Sequence, residues 1–279
     1  MNNSNKNSVN TSLLQAEDGI RVSLLDYGAA IQSIEVPSAQ GPVNVVLGYE
    51  NAEDYTEDPF CMGSTVGRFA GRIDSGRFAL NGKNYELDRN DKTNGHCLHG
   101  GSGGFHRRFW DVDEDPNSNA VAFHLESPDG DQGFPGKMKV VTRYSVVSRM
   151  CMQVDYFAQS ESDTVINLTN HAYFNLNGDL SDIGDHEVWI NSEMYLPNAA
   201  NMIPTGDINN VMGSAFDFRT KAKVGERLAM PSPQLELAGG FDHFFMLNKA
   251  MKYPAIAASV ESPKTGIRMK LYSSRPGVQ

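Results

Sequence analysis

Short apolar runs at period two, cut by Gly, Pro, Asn and Asp, set the texture of the chain. They read "IRVSLLD" (20–26), "AIQSIEVP" (30–37), "VNVVLGY" (43–49), "GRFALNGKNYEL" (76–87), "AVAFHLES" (120–127) and "MKVVTRYSV" (138–146). Each is the length of a strand and too short for a helix to bury a full stripe. In "FALNGKNYEL" the dipeptide Asn81-Gly82 accepts positive φ at both centres of a tight turn, which predicts a hairpin. "ASVESPKTGIRMKLY" repeats the logic. Ala258 and Val260 precede a turn containing Pro263 and Gly266, and Ile267, Met269 and Leu271 follow at period two. No amphipathic run is long enough for a substantial helix, and no period of about 20–50 residues recurs, which removes solenoids and propellers. The expected fold is all-β, a large antiparallel β-sandwich whose function lies in its loops or in a groove across one sheet.

Composition narrows this further. A chain of 279 residues with 40% hydrophobic and 21% charged residues can bury a large core, and nothing in it approaches a membrane span. "MNNSNKNSVN" lacks an apolar stretch behind a basic start, so it is neither a signal nor a transit peptide. The expectation is a disordered polar tail over 1–11, then a single domain over 12–279, in the cytoplasm. A formal net charge of −10 disfavours nucleic acid and anionic membranes as partners. Cys61, Cys97 and Cys151 are odd in number and widely spaced, which fits buried small residues in a reducing compartment rather than a disulfide or zinc framework.

Several motif-like stretches carry no chemistry. "DVDEDPNSNAVA" (111–122) starts like a calcium loop, but Pro116 stands where the turn needs Gly and Ala122 where a bidentate Glu is required; it reads as an acidic turn. "HGGSGG" (99–104) has no Lys-Ser or Lys-Thr after it and no strand–loop–helix context. His96 and His99 are three apart, yet no third ligand has a suggestive spacing, so no metal is expected.

What remains are polar side chains set among aromatics and glycines. "GRFAGRI" carries Arg68 and Arg72, "GHCLHGGSGGFHRRFW" carries His96, His99, Phe109 and Trp110, "TNHAYFNLNG" carries His171, and "GGFDHFFML" carries Asp242 and His243. A sugar suits such a mixture: its apolar ring faces lie on aromatics, and Arg, Asn and His satisfy its hydroxyls.

Together with "DYGAAIQSIEVP", "VVLGYENAEDY", "SPDGDQGFPG" and "NLTNHAYFNLNG", in this order from about residue 12 to the end, these segments resemble the aldose 1-epimerases, the galactose mutarotase family. The resemblance implies a galactose mutarotase-like supersandwich that interconverts the α and β anomers of an aldose such as galactose or glucose, without cofactor or metal. The ring opens as a base takes the C1 hydroxyl proton and an acid protonates the ring oxygen, and the roles reverse on closing. By resemblance His171 is that acid, His99 a second active-site histidine that positions the sugar, and Arg72, Asp242 and Gln279 hold hydroxyls. An unperturbed histidine pKa near 6.5 suits reversible proton transfer. The plainer readings are a core histidine beside Tyr173 and Phe174, a surface arginine pairing a carboxylate, and a turn cap after Gly239-Gly240. His96, His106, His124, His186 and His243 are taken as structural. Gly71 stands where the family often has an asparagine that touches the sugar, a loss of about 1 kcal/mol.

The resemblance also implies a basic glutamate one or two strands beyond "PGVQ", and no residue up to Gln279 matches it. The expectation is a domain lacking its C-terminal strands, either cut from a longer protein or naturally shortened. It would bind sugar with turnover lowered roughly 10²–10⁴-fold. The edge left open would invite a homodimer. Two other functions compete: a sugar-binding module without turnover, and a hexose-6-phosphate 1-epimerase with Arg107 and Arg108 at the phosphate.

Overall fold

The computed structural model describes residues 8–39, 41–115, 118–248 and 254–279. It forms two compact units, one ending at Phe174 and the other covering Asn175–Gln279.

In the first unit β1 (Thr11–Gln15), β2 (Arg21–Leu25), β3 (Ala30–Val36) and β4 (Val43–Asn44) form an antiparallel meander. Short pieces follow: β5 (Thr65–Val66), β6 (Arg72–Ile73), the hairpin β7 (Arg77–Leu80) and β8 (Lys83–Glu86), and β9 (Cys97–Leu98). A second meander runs through β10 (Asp111–Glu114), β11 (Ala120–Ser127), β12 (Met138–Ser148) and β13 (Cys151–Ser160), and β14 (Thr169–Asn170) returns to pair with β5. Alternation decides the faces. Along β12, Met138, Val140, Thr142 and Tyr144 are buried while Lys139 and Arg143 face solvent. Phe123 of β11 is fully buried against Tyr144, their rings 5.8 Å apart edge to face.

The second unit contains β15 (Glu187–Ile190), β16 (Ser192–Tyr195), β17 (Asn209–Asn210), β18 (Ala222–Lys223), α1 (Val224–Leu228), α2 (Pro233–Ala238), β19 (Phe245–Leu247), β20 (Ala255–Glu261), β21 (Arg268–Ser273) and β22 (Gly277–Val278). Its sheets have the orders β18-β15-β20-β21 and β17-β16-β19-β22. Tyr195, Val211, Phe216, Phe218, Leu235 and Phe245 make its core. The helices are single turns; Pro233 starts α2 and Gly239 at φ +69° stops it.

Most strands follow the sequence pattern. Asn81 and Gly82 take φ +52° and +73°, as the turn between β7 and β8 requires, and Val260 pairs with Met269 and Ala258 with Leu271. "DVDEDPNSNAVA" supplies β10 and the start of β11, so its alternating acids are the exposed side chains of an edge strand; Pro116 lies outside the described residues. "VNVVLGY" yields only a two-residue strand. Residues 1–7 of the expected tail lie outside the described residues. Beyond them Val9 N–H donates to Glu53 Oε1, Asn10 donates twice to Asp26, and Thr11 pairs with Leu25. Cys61 and Cys97 are buried, their thiols pushed up to about 11 and about 12 by burial, whereas Cys151 is exposed. Among the described residues no helix is long and apolar enough to cross a membrane.

Candidate functional site

The pairing of β6 with β9 sets Arg72 opposite Leu98. One step beyond that pair, Gly71 meets His99. The His99 N–H donates to the Gly71 carbonyl at 3.0 Å, and the Gly71 N–H donates to His99 Nδ1 at 3.1 Å. His99 itself has φ +54°, a left-handed conformation that His tolerates better than most side chains. The chain can then fold back sharply because Gly100 follows: a Cβ there would lie 2.1 Å from the Gly67 carbonyl oxygen. With Nδ1 accepting, the neutral ring carries its proton on Nε2. Burial first, then the charges of His171, His106 and Arg72, push the His99 pKa down to about 3, so the ring stays neutral at ordinary pH.

His171 arrives on the other short pair. Beyond Asn170, which pairs with Thr65, the His171 N–H donates to Ser64 O at 2.9 Å and its carbonyl accepts from Gly63 N–H at 3.0 Å. Asn170 Nδ2 donates to Gly63 O at 2.6 Å and to the Tyr144 hydroxyl at 3.2 Å. Tyr144 is anchored in the core by its bond to Ala29 O at 2.7 Å. The His99 and His171 rings meet edge to face, centroids 5.2 Å apart at 85°. The Tyr173 ring lies 5.1 Å from His171 on another side, held by its hydroxyl's bond to Phe60 O at 3.0 Å. His171 is therefore backed by backbone bonds and an aromatic ring rather than enclosed in core, unlike the plainer reading.

Arg72 Nε donates to Asp91 Oδ2 at 3.3 Å, with the two side chains 20% and 8% exposed. The arginine does pair with a carboxylate, but in a recess. Burial alone would raise the Asp91 pKa; bonds from Asn94 and Arg72 bring it below the usual carboxylate range. Arg68, four residues earlier, is fully committed to structure. It is 2% exposed, and its guanidinium donates to Pro135 O, Gly136 O and Ser127 Oγ at 2.7–2.8 Å and lies over the Phe134 ring. Trp110, expected among the sugar-facing aromatics, is fully buried, with Nε1 bonded to Phe105 O. Arg108 is held by Asp131 and Gly103 O.

In the second unit the last pairs of β19 and β22 are Phe245 with Val278 and Met246 with Gly277, which leaves Gln279 just beyond the ladder. Its Nε2 donates to Asp242 Oδ1 at 2.6 Å. Asp242 thus does more than cap a turn. Its own N–H donates to His243 Nδ1 at 3.3 Å and its carbonyl accepts from Asn198 Nδ2 at 2.9 Å.

The predicted residues therefore assemble as two groups, one in each unit: His99 and His171 with Arg72 beside them, and Asp242 with Gln279. His96 and His186 are buried and accept from Ser75 N–H and Leu176 N–H, as structural histidines do, and His124 is exposed on β11. Among the described residues no group of three His, Cys, Asp or Glu could hold a metal ion. A hollow walled by Leu80, Met138, Ala158 and Ile166, and another against Phe78 and Tyr85, include none of the site residues. Sequence reasoning missed Asn170, Asp91 and Tyr173. Asn170 and Tyr173 flank His171 in a stretch already singled out, whereas nothing in "RNDKTNGH" marks Asp91.

Comparison with known proteins identifies the family and the fold. Residues 11–279 match the family model described as aldose 1-epimerase. Human galactose mutarotase is 40% identical over 266 residues, 94% of this chain and 74% of that protein. The aldose 1-epimerase of Escherichia coli K12 is 33% identical over 267 residues, 95% of this chain and 76% of that one. Among solved structures, galactose 1-epimerase from Lactobacillus acidophilus superposes with a TM-score of 0.82 at 31% identity, covering 94% of this chain and 75% of that chain. An aldose epimerase homologue from C. elegans gives 0.84 at 26%, covering 96% and 80%. The all-β fold is that of the galactose mutarotases.

Proposed function

The chain belongs to the aldose 1-epimerase family, and from that premise we propose that it interconverts the α and β anomers of a hexose such as galactose or glucose. The observation that carries the reading is the His99–His171 ring pair at 5.2 Å with His99 Nδ1 occupied by a backbone N–H. Two imidazoles this close disfavour a double charge. His99, pushed down to about 3, stays neutral. It offers an Nε2–H as a fixed hydrogen-bond donor to a sugar oxygen, and His171 carries the mobile proton. His171 gives that proton to the ring oxygen as the C1–O5 bond breaks. The C1 hydroxyl loses its proton to a base, the role left unassigned among these residues. After rotation about C1–C2, O5 re-attacks the other face of the aldehyde, His171 takes its proton back from O5, and the base returns its proton to the C1 oxygen.

Arg72, its guanidinium oriented by Asp91, is assigned to sugar hydroxyls, and so are Asp242 and Gln279, a carboxylate and an amide that already hydrogen-bond each other. Three cysteines without a disulfide partner fit a cytoplasmic setting.

Polarimetry on freshly dissolved α-D-galactose tests the reading. The protein should hasten the approach to the equilibrium rotation, and His171→Ala should abolish at least about a hundredfold of that acceleration. An unchanged rate in the variant would remove His171 from the chemistry.

A further inference from the structure

We propose that Gln234 is a positioning residue for sugar binding, holding Asp242 in place from both sides of its backbone; the proposal rests on the assignment of Asp242 to sugar hydroxyls. Gln234 is the second residue of α2, and its amide makes three hydrogen bonds within the second unit. Oε1 accepts from Asn198 N–H at 2.7 Å and faces His243 Nε2 at 2.9 Å, and Nε2 donates to Asn198 O at 3.0 Å. The two residues it grips both hold the Asp242 backbone: Asn198 Nδ2 donates to the Asp242 carbonyl, and His243 Nδ1 accepts from the Asp242 N–H.

The bonding pattern fixes the His243 tautomer and the Gln234 amide orientation. His243 Nδ1 accepts, so Nε2 carries the proton and donates to Gln234 Oε1; that oxygen also takes the Asn198 N–H, which leaves the Gln234 NH₂ for the Asn198 carbonyl. His243 is 2% exposed and wedged against Phe216, with centroids 4.6 Å apart, and Asn198 is 7% exposed. Burial lowers the His243 pKa, in keeping with a neutral ring that accepts at Nδ1. A buried network with one acyclic amide at its centre loses several bonds when that amide goes, because each remaining polar atom is left without its partner. The Asp242 backbone then gains freedom, and with it the carboxylate that Gln279 meets at 2.6 Å.

The test compares Gln234→Leu, Gln234→Glu, Asp242→Ala and the double variant Gln234→Leu/Asp242→Ala. It uses galactose polarimetry for kcat and KM, calorimetry for galactose affinity, and thermal melting. Gln234→Leu should raise KM roughly tenfold with kcat within about twofold, because a hydroxyl contact that persists through the reaction contributes uniform binding. Gln234→Glu keeps the acceptor for Asn198 N–H and His243 and should recover part of the loss; it also carries the test should Gln234→Leu fail to fold. In the double variant the Gln234→Leu effect should vanish, since there is no Asp242 carboxylate left to misplace. A KM for both Gln234 variants within twofold of the parent, or a Gln234→Leu effect that persists undiminished without Asp242, overturns the proposal. If Asp242→Ala itself leaves KM and affinity unchanged, the sugar role of Asp242 falls first, and the positioning role falls with it.

Discussion

Gly71 and His99 hold each other through reciprocal hydrogen bonds, His99 N–H to Gly71 O at 3.0 Å and Gly71 N–H to His99 Nδ1 at 3.1 Å. A ring whose Nδ1 is tied to a backbone donor cannot swap tautomers without breaking that bond, so His99 presents one donor in one direction. Glutamine places an amide nitrogen close to the position of Nε2, so His99→Gln should keep more activity than His99→Ala. Neither substitution should move the acid limb of the pH–rate profile, because a group pushed down to about 3 does not titrate there. An acid limb displaced by a full pH unit in His99→Gln would show that His99 carries the working proton.

His171 and Arg72 should separate chemistry from binding. An acid acting on the ring oxygen matters chiefly in the transition state, whereas a guanidinium on hydroxyls holds ground state and transition state alike. In calorimetry with galactose, His171→Ala should therefore retain more affinity than Arg72→Ala while losing more kcat. The reverse order would make His171 a binding residue.

Strand positions and hairpins were legible because period-two burial and the Asn81-Gly82 turn are written locally. β11 runs over Ala120–Ser127, the span of its apolar pattern. The clusters His99 with His171 and Asp242 with Gln279 were nameable only through resemblance, since contacts between residues 72 and 37 positions apart leave no local signal. Gln234 and Asp91 were invisible for a stronger reason. A polar residue on a one-turn helix or in a polar loop reads as solvent-facing, and only the fold shows what it holds. Trp110 misled in the other direction, because an aromatic in a glycine-rich segment looks like a sugar platform until the core closes over it.

The two arginines of "GRFAGRI" should fail in opposite ways. Arg68 is buried on carbonyls, so Arg68→Met strands Pro135 O and Gly136 O, while the Ser127 hydroxyl keeps its bond to Asp131; it should cost about 3–5 kcal/mol of stability, read as a lowered urea midpoint. Arg72→Met should leave the midpoint nearly unchanged and raise KM. Similar melting of the two variants would contradict the division of labour.

His106 should make the fold acid-labile. Its side chain is 7% exposed, and its Nδ1 has no hydrogen-bond partner among the described residues. Burial first, then Arg107, push its pKa down to about 4; Asp58 opposes and His171 adds to the lowering. The unfolded chain binds a proton at this residue below about 6.5, and the folded chain does so only near 4. Above 6.5 the difference vanishes. As pH falls through the interval the unfolded state gains protons first, so stability drops, and below about 4 the loss stays constant. At pH 5 the penalty is on the order of 2 kcal/mol for this one group. His99 titrates over an overlapping window and adds its own loss. His106→Gln removes the first contribution and leaves the second. Urea unfolding at pH 7 and pH 5 should therefore show a smaller fall in stability for the variant than for the parent, by roughly 2 kcal/mol. Equal falls in both proteins would mean that His106 accepts its proton in the folded state as readily as in the unfolded one, and the acid lability would have to be sought at His99 or among the carboxylates.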